Sequence, residues 1–204
     1  MMRRVFRLAA AATAVVLLTS GCTLIDRAGA AAVIDGTRIT DSALSAEALD
    51  MQAALAGQEA TVTDAEMARA ILAIHVQDHV IRTAAQQQGI EVDTETIAKL
   101  RQELKDQVGG TDAELAAFAA AQGVPPALVD TVLGLSVMMA DLGAKLAPEG
   151  DENAQGQAAV AYLSQLATTM DIEIAPRFGS WDPTQFTVAE PVNDLSLPIE
   201  LLQG

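Results

Sequence analysis

The sequence predicts a mainly α fold of five to six helices with a small element of two β-strands. The chain of 204 residues is rich in alanine, leucine, glutamate and glutamine, which are strong helix formers. Two Thr-x-x-Glu capping boxes, at Thr63–Glu66 and Thr111–Glu114, each indicate the start of a helix. Aromatic residues make up only 3% of the chain, so we expect a core of aliphatic side chains.

A short strand opens the predicted domain. Residues 32–34 are apolar and lead into the turn Asp35-Gly36-Thr37, after which residues 38–40 resume the strand. Thr40 or Asp41 can then cap the first helix. Glycine and proline positions further along the chain end one helix and begin the next. The predicted helices span residues 42–56, 63–88, 94–108, 111–122, 125–146 and 157–170.

The second predicted helix carries apolar residues on more than one face. Such a helix is usually central and buried, because no side of it can face water without exposing apolar surface. We therefore expect the other helices to pack around it. Its apolar positions are Met67, Ile71, Leu72, Ile74, Val76, Val80 and Ile81.

The C-terminal part combines a short strand with a tail. Residues 171–174 alternate polar and apolar side chains, which predicts a strand. Residues 175–204 form a Pro-containing tail that holds Phe178, Trp181 and Phe186. We expect Phe178 and Trp181 to hold this tail against the helical body.

The N-terminus is predicted to be an export signal. Three arginines among the first seven residues precede a largely apolar run, residues 8–18, that is too short to span a membrane. Leu18-Thr19-Ser20-Gly21-Cys22 follows and resembles the lipobox of bacterial lipoproteins. We expect cleavage before Cys22, diacylglycerol on its thiol and palmitate or a similar chain on the new amine. An ordinary signal peptide with a chance cysteine is the alternative.

These features divide the chain and limit its function. The expected parts are a signal peptide (1–21), a lipidated tether (22–31), a helical domain (32–174) and the tail (175–204). The protein would be lipid-anchored at the cell membrane, on its extracytoplasmic face. The formal net charge of −15 argues against nucleic acid as a partner, because phosphate backbones require clustered lysine and arginine. The single cysteine excludes an internal disulfide framework.

Several segments resemble the N-terminal helical module of the SurA and PrsA chaperones. Residues 33–40, Val-Ile-Asp-Gly-Thr-Arg-Ile-Thr, resemble the strand and turn that open those proteins. Residues 84–97 resemble the end of their long helix and the start of the next one. Leu115–Pro125, with Phe118 and Gly123, is similar to a later turn. The resemblance covers roughly residues 32–146 and depends on the order and spacing of these segments.

The resemblance implies both a fold and a function. In this family the helical module binds unfolded polypeptide, and a C-terminal strand can return to pair with the N-terminal one. Residues 172–174 would be that returning strand, and unfolded or newly exported polypeptides would be the partners. Members with isomerase activity carry a parvulin domain, which does not fit into residues 147–171. We therefore expect no isomerase activity. The sequence also contains no nucleophile elbow, Walker loop or GxGxxG motif, so we expect no other enzymatic activity.

Four residues of the fifth predicted helix are candidates for client binding: Leu133, Leu135, Met138 and Met139. Flexible methionine side chains suit a surface that adapts to many apolar partners, and plain core packing is the alternative. A second functional hypothesis is an envelope scaffold or accessory lipoprotein that binds one folded partner. Saturable binding to one partner, with none to unfolded chains, would distinguish it.

The pair His75 and His79 supports a third hypothesis, a metal-binding lipoprotein. Two histidines four positions apart share a helix face and can bind one zinc ion, with Asp78 at the edge. No third ligand is assigned by the sequence. The alternative is two histidines on a core helix, with Asp78 paired to Arg82 one turn later. We prefer that alternative and expect neither metal nor cofactor.

Overall fold

The computed structural model describes residues 28–57 and 62–191, which form six α-helices and five short strands. The helices are α1 (Asp41–Ala54), α2 (Asp64–Gln87), α3 (Thr94–Val108), α4 (Asp112–Ala121), α5 (Val129–Leu146) and α6 (Glu152–Ala167), with a 3₁₀ turn at Pro126–Leu128 before α5. The strands are β1 (Ala30–Ile34), β2 (Thr37–Thr40), β3 (Ile172–Ile174), β4 (Ser180–Asp182) and β5 (Thr187–Ala189). The prediction of a mainly helical fold with a small sheet is confirmed.

Both predicted capping boxes are present. The Thr63 hydroxyl accepts from the Glu66 amide at 3.2 Å, and a Glu66 carboxylate oxygen accepts from the Thr63 amide at 2.8 Å. The bond from the Thr63 backbone and the bond from its hydroxyl lower the pKa of Glu66. Thr111 and Glu114 make the same reciprocal pair at the start of α4. Each box satisfies amides that the first turn of a helix leaves without partners.

Helix α6 begins earlier than the sequence predicts. The prediction treats Pro148–Gly156 as an acidic break and starts the helix at Gln157, whereas α6 begins at Glu152. The reason is Asp151, whose carboxylate accepts from the Ala154 amide at 2.9 Å and caps the helix. Of the acidic residues that suggested a break, Glu149 lies in the turn before the helix, Asp151 is its cap and Glu152 is in its first turn.

The first two strands and the strand that follows the last helix form one antiparallel sheet with the strand order β2-β1-β3. Ala32 lies opposite Ile174, and Ile34 lies opposite Ile172, so the expected return of residues 172–174 to the N-terminal strand is confirmed. The sheet has three strands instead of two because β2 also pairs with β1. Strand β1 begins at Ala30, inside the segment predicted as tether, and Ala30 is buried.

The segment predicted as a tail contains an additional hairpin. Strands β4 and β5 pair antiparallel, with Trp181 opposite Val188. Val188 is 6% exposed and joins the core, and Trp181 packs against the core from the hairpin's other strand. Phe178 also packs there, and its ring lies 4.7 Å from the Arg177 guanidinium. The hairpin is thus part of the packed body.

Helix α2 lies at the centre, as its sequence predicts. Ile71, Leu72, Val76 and Val80 have no measurable exposure to solvent. The N-terminal half of α2 packs with α1, β1 and the hairpin, and its C-terminal half packs with α5 and α6. Burial of each such side chain contributes about 1.5–3 kcal/mol.

Among the described residues, one helical stretch, Pro126–Leu146, is long and apolar enough to cross a membrane by length and composition alone. Its position in the fold accounts for that composition. Leu135, Met138 and Leu142 are buried in the core that α5 shares with α2 and α6. A buried core helix can be equally long and apolar, so the length and composition of this stretch are weak evidence for a membrane span.

The contact between α5 and α6 gives a test of this packing. A Cβ on Gly143 would lie 2.7 Å from the Gln155 carbonyl oxygen and 2.9 Å from its carbon, so the Gly143→Ala variant must displace backbone. We expect the free energy of unfolding to fall by about 1–3 kcal/mol. Urea denaturation followed by circular dichroism measures it.

Gly156 in α6 is the matched control, because a Cβ there meets nothing within 4 Å. Gly156→Ala should raise the free energy of unfolding by about 0.5–1 kcal/mol, through helix propensity alone. Equal effects of the two alanine variants would contradict the close approach of α5 and α6.

Candidate functional site

An apolar groove of about 740 Å³ lies between α2, α5, α6 and the turn of the β4–β5 hairpin. Leu135 and Leu163 are buried at its base, whereas Val160 at its edge is 50% exposed. None of the described residues that line it carries a charge. Its apolar lining consists of Ala70, Ala73, Ile74, Ile81, Val124, Val132, Leu135, Met139, Val160, Leu163 and Phe186.

Helical periodicity places the lining residues of α2 and α5 in two stripes. On α5, Val132, Leu135, Ser136 and Met139 occupy positions i, i+3, i+4 and i+7. On α2, the lining residues from Ala70 to Ile81 follow the same spacing. Residues at these intervals share one face of a helix. The groove is therefore lined by one mostly apolar face of α2 and one of α5.

The hairpin turn forms the remaining wall of the groove. Phe186 lines the groove, and its ring meets the Trp181 ring edge-on, with centroids 5.4 Å apart. The Phe186 carbonyl accepts from Gln77 Nε2 at 2.6 Å, which ties the turn to α2. Phe186 has a φ of 54°, a backbone conformation that non-glycine residues rarely adopt. The aromatic contact and the Gln77 bond hold the residue in that conformation.

Asp182 orders the turn itself. Its Oδ1 accepts from the Thr184 hydroxyl at 2.6 Å, from the Thr184 amide at 2.8 Å and from the Gln185 amide at 3.1 Å. The bond from the Thr184 side chain, followed by those from the Gln185 and Thr184 amides, lowers the pKa of Asp182. The ionised carboxylate is therefore the form that stabilises this wall of the groove.

The four predicted client-binding residues fall on different surfaces. Leu135 and Met139 both line the groove. Met138 is 5% exposed and lines a second cavity of about 650 Å³ between α2, α3 and α5. Leu133 packs against the small cluster formed by α4 and the start of α5. The structure therefore brings two of the four together and separates the other two.

The second cavity differs from the groove in its chemistry. Arg82, Glu91 and Asp130 contribute to its lining. Arg82 pairs with Asp78 at 2.6 Å, and Asp130 pairs with Arg101 at 2.9 Å. A cavity lined in part by charged side chains suits an apolar segment less well than the uncharged groove does.

Several groove residues were missed by the sequence analysis. Ile74 could have been found from its place in the apolar stripe of α2. Val160 and Leu163 lie on α6, inside the predicted helix 157–170, and Phe186 belongs to a hairpin that was not predicted. No local pattern shows that these segments meet, because only the tertiary packing brings them to one groove.

The two histidines face different carboxylates. His75 Nε2 lies 2.7 Å from Glu47 Oε2 of α1, and His79 Nε2 lies 3.9 Å from Asp35 Oδ2 in the β1–β2 turn. Asp78 pairs with Arg82, as the preferred interpretation expects. In residues 28–57 and 62–191, no group of three or more His, Cys, Asp or Glu side chains is placed to hold a metal ion. The described contacts of these histidines link α2 to α1 and to the sheet.

The predicted lipidation site and export signal lie outside the described residues. Cys22, the signal peptide 1–21 and the first part of the tether precede residue 28, where the described structure begins. Residues 192–204 of the predicted tail also lie outside it.

The hairpin wall should depend on pH through Asp182. Because its folded pKa lies below the ordinary value of 3.8, its contribution is complete above that value and is lost as the pH falls through the folded pKa. We expect Trp181 fluorescence to change in this acidic range while helical circular dichroism changes less. The fluorescence step should be absent in Asp182→Asn and retained in Asp50→Asn, whose carboxylate is exposed on α1. An identical step in both variants would contradict this role of Asp182.

No family model, no curated protein and no solved structure matches this chain. The geometry and chemistry of the groove are therefore the observations from which its function can be inferred.

Proposed function

We propose that this protein is a lipid-anchored, extracytoplasmic, chaperone-like protein that binds unfolded or newly exported polypeptides and has no isomerase activity. The observation that carries the proposal is the uncharged apolar groove between α2, α5, α6 and the hairpin. The expected lipid on Cys22 would supply the membrane anchor. The resemblance of residues 32–146 to the SurA and PrsA helical module supports the same function.

The groove has the chemistry that an unfolded segment needs. Its apolar base can bury a few aliphatic or aromatic side chains, and its volume lies within the usual range of about 300–1,000 Å³ for ligand sites. Met139 adapts its shape to different side chains. The amide side chains of Gln122 and Gln185 line the groove in exposed positions, where they can donate to and accept from a peptide backbone.

These properties favour weak and sequence-tolerant binding. Without a charged group in its lining, the groove selects for apolar side chains and against buried charge. An unfolded client also loses conformational entropy when it binds, which lowers the affinity obtained from a given area. We therefore expect dissociation constants in the micromolar range, of about 1–100 μM.

Fluorescence anisotropy tests the proposal with the chain expressed from Thr23. A labelled, permanently unfolded polypeptide should bind, and a folded control protein should not. Val160→Glu should weaken binding at least about tenfold, because bound client would bury the new charge. Val160 is 50% exposed, so the variant should fold normally. Circular dichroism checks that it does.

Phe118→Glu is the matched control for that variant. Phe118 is another exposed apolar residue, 40% exposed on α4, and it does not line the groove. Its replacement should leave client affinity unchanged. Binding only to one folded envelope protein would instead support the scaffold hypothesis, and equal loss in both variants would remove the groove from the binding site.

A further inference from the structure

The second cavity, between α2, α3 and α5, combines an apolar base with a polar rim. Its volume of about 650 Å³ lies within the usual range of about 300–1,000 Å³ for small-molecule sites. At its base, Ala85 of α2 and Met138 of α5 are 3% and 5% exposed, and Ile97 of α3 is half-buried. Polar side chains of the same helices and of the α2–α3 loop complete the lining. This division suits a small amphipathic molecule.

The α2–α3 loop forms one wall of the cavity and is fixed at both ends. The Ile90 amide donates to the Ala85 carbonyl at 2.8 Å, which turns the chain back at the end of α2. At the other end, the Asp93 carboxylate accepts from the Glu95 amide at 3.0 Å and caps α3. Ile90 and Val92 pack against the core that α2 shares with α5 and α6. The wall is therefore formed before a ligand binds, which lowers the entropy lost on binding.

The charged groups of the rim differ in their partners. Asp130 pairs with Arg101 at 2.9 Å, and Arg82 pairs with Asp78 at 2.6 Å. Glu91 lies exposed on the loop, and its carboxylate has no hydrogen-bond or ion-pair partner within residues 28–57 and 62–191. Because the guanidinium group of Arg82 already binds a carboxylate, the charge left for a ligand is the negative charge of Glu91. The rim therefore favours a cation.

The neutral polar groups of the rim are also free to bind a ligand. In the part of the chain that the structure describes, the side chains of Gln86, Thr94 and Thr131 have no hydrogen-bond partner. Their hydroxyl and amide oxygens can accept from an ammonium group, which has three donors and no acceptor. One free carboxylate and several neutral acceptors above an apolar base match an aliphatic molecule that ends in a primary amine.

We propose that the second cavity binds a small organic amine, with its aliphatic body on the apolar base and its ammonium group at Glu91. The net charge of −15 favours the approach of such a cation over that of an anion. The site is separate from the apolar groove, because Met138 lines the cavity and Met139, the next residue of α5, lines the groove. The proposal is therefore independent of client binding.

Methionine methyl NMR tests the proposal on the chain expressed from Thr23, labelled with carbon-13 at Met Cε. Heptylamine should shift the Met138 signal, with a dissociation constant of about 0.1–10 mM for so small a ligand. The Met139 signal, which reports on the groove, should move much less. Heptanol and heptanoate, which keep the aliphatic body without the ammonium group, should bind at least about fivefold more weakly. Met138→Leu and Met139→Leu assign the two signals.

Glu91→Gln separates the ammonium contact from general charge attraction. It should weaken heptylamine binding at least about fivefold, because the ammonium group loses its charged acceptor. Glu95→Gln is the matched control: Glu95 is exposed in the first turn of α3, does not line the cavity, and its replacement changes the net charge equally. That variant should bind heptylamine as the parent does. Equal losses in the two variants would overturn the proposal.

Filling the cavity gives a second test that does not depend on charge. Thr131→Phe should abolish heptylamine binding, whereas Thr96→Phe, exposed on α3 and outside the lining, should not. Circular dichroism checks that both variants fold. An equal shift of Met139, or no shift of Met138, would overturn the proposal. Tighter binding of Nα-acetyl-lysine methylamide than of heptylamine would also overturn it, since the ligand would then be a lysine side chain of a polypeptide.

Discussion

Burial of α2 on more than one face is the interaction on which the rest of the structure depends. Its N-terminal half fills the core under α1, β1 and the hairpin, and its C-terminal half fills the core under α5 and α6. Ile71 and Val80, at opposite ends of this buried stretch, are both fully covered. Since α1, β1, the hairpin, α5 and α6 all pack on this one helix, α2 fixes the distance between the hairpin and α5, and thereby the width of the groove.

The closure of the sheet places the hairpin where the groove needs its wall. The Asp35 amide donates to the Asp171 carbonyl, and the Asp35 carboxylate accepts from the Asp171 amide, each at 2.9 Å. Arg177 then binds the Asp41 carboxylate at the start of α1 and the Ala30 carbonyl. These contacts fix the direction in which the chain leaves β3. The hairpin consequently lies against α2 rather than extending from the body.

Local signals predicted most of the fold and failed where stability comes from distant contacts. The capping boxes at Thr63 and Thr111 were correct because the bonds that define them join residues three positions apart. The start of α6 was wrong because an acidic stretch can be either a loop or a capped first turn, and Asp151 decides between them. The hairpin was missed because three-residue strands have little pattern of their own. It is held by Trp181 on Phe186 and by Gln77 of α2.

Local signals predicted the groove only in part, as they did the fold. The groove and the net charge of the chain also differ in what they select. An apolar run on α5 identified Leu135 and Met139, but composition alone could not exclude Leu133 and Met138, which helical geometry turns to other surfaces. The charge of −15 lies outside the groove lining. Under the proposed function, that charge attracts basic segments over about 8 Å at physiological salt, before contact is made. The uncharged groove then selects apolar side chains at contact, so salt should affect the approach of a client more than its retention.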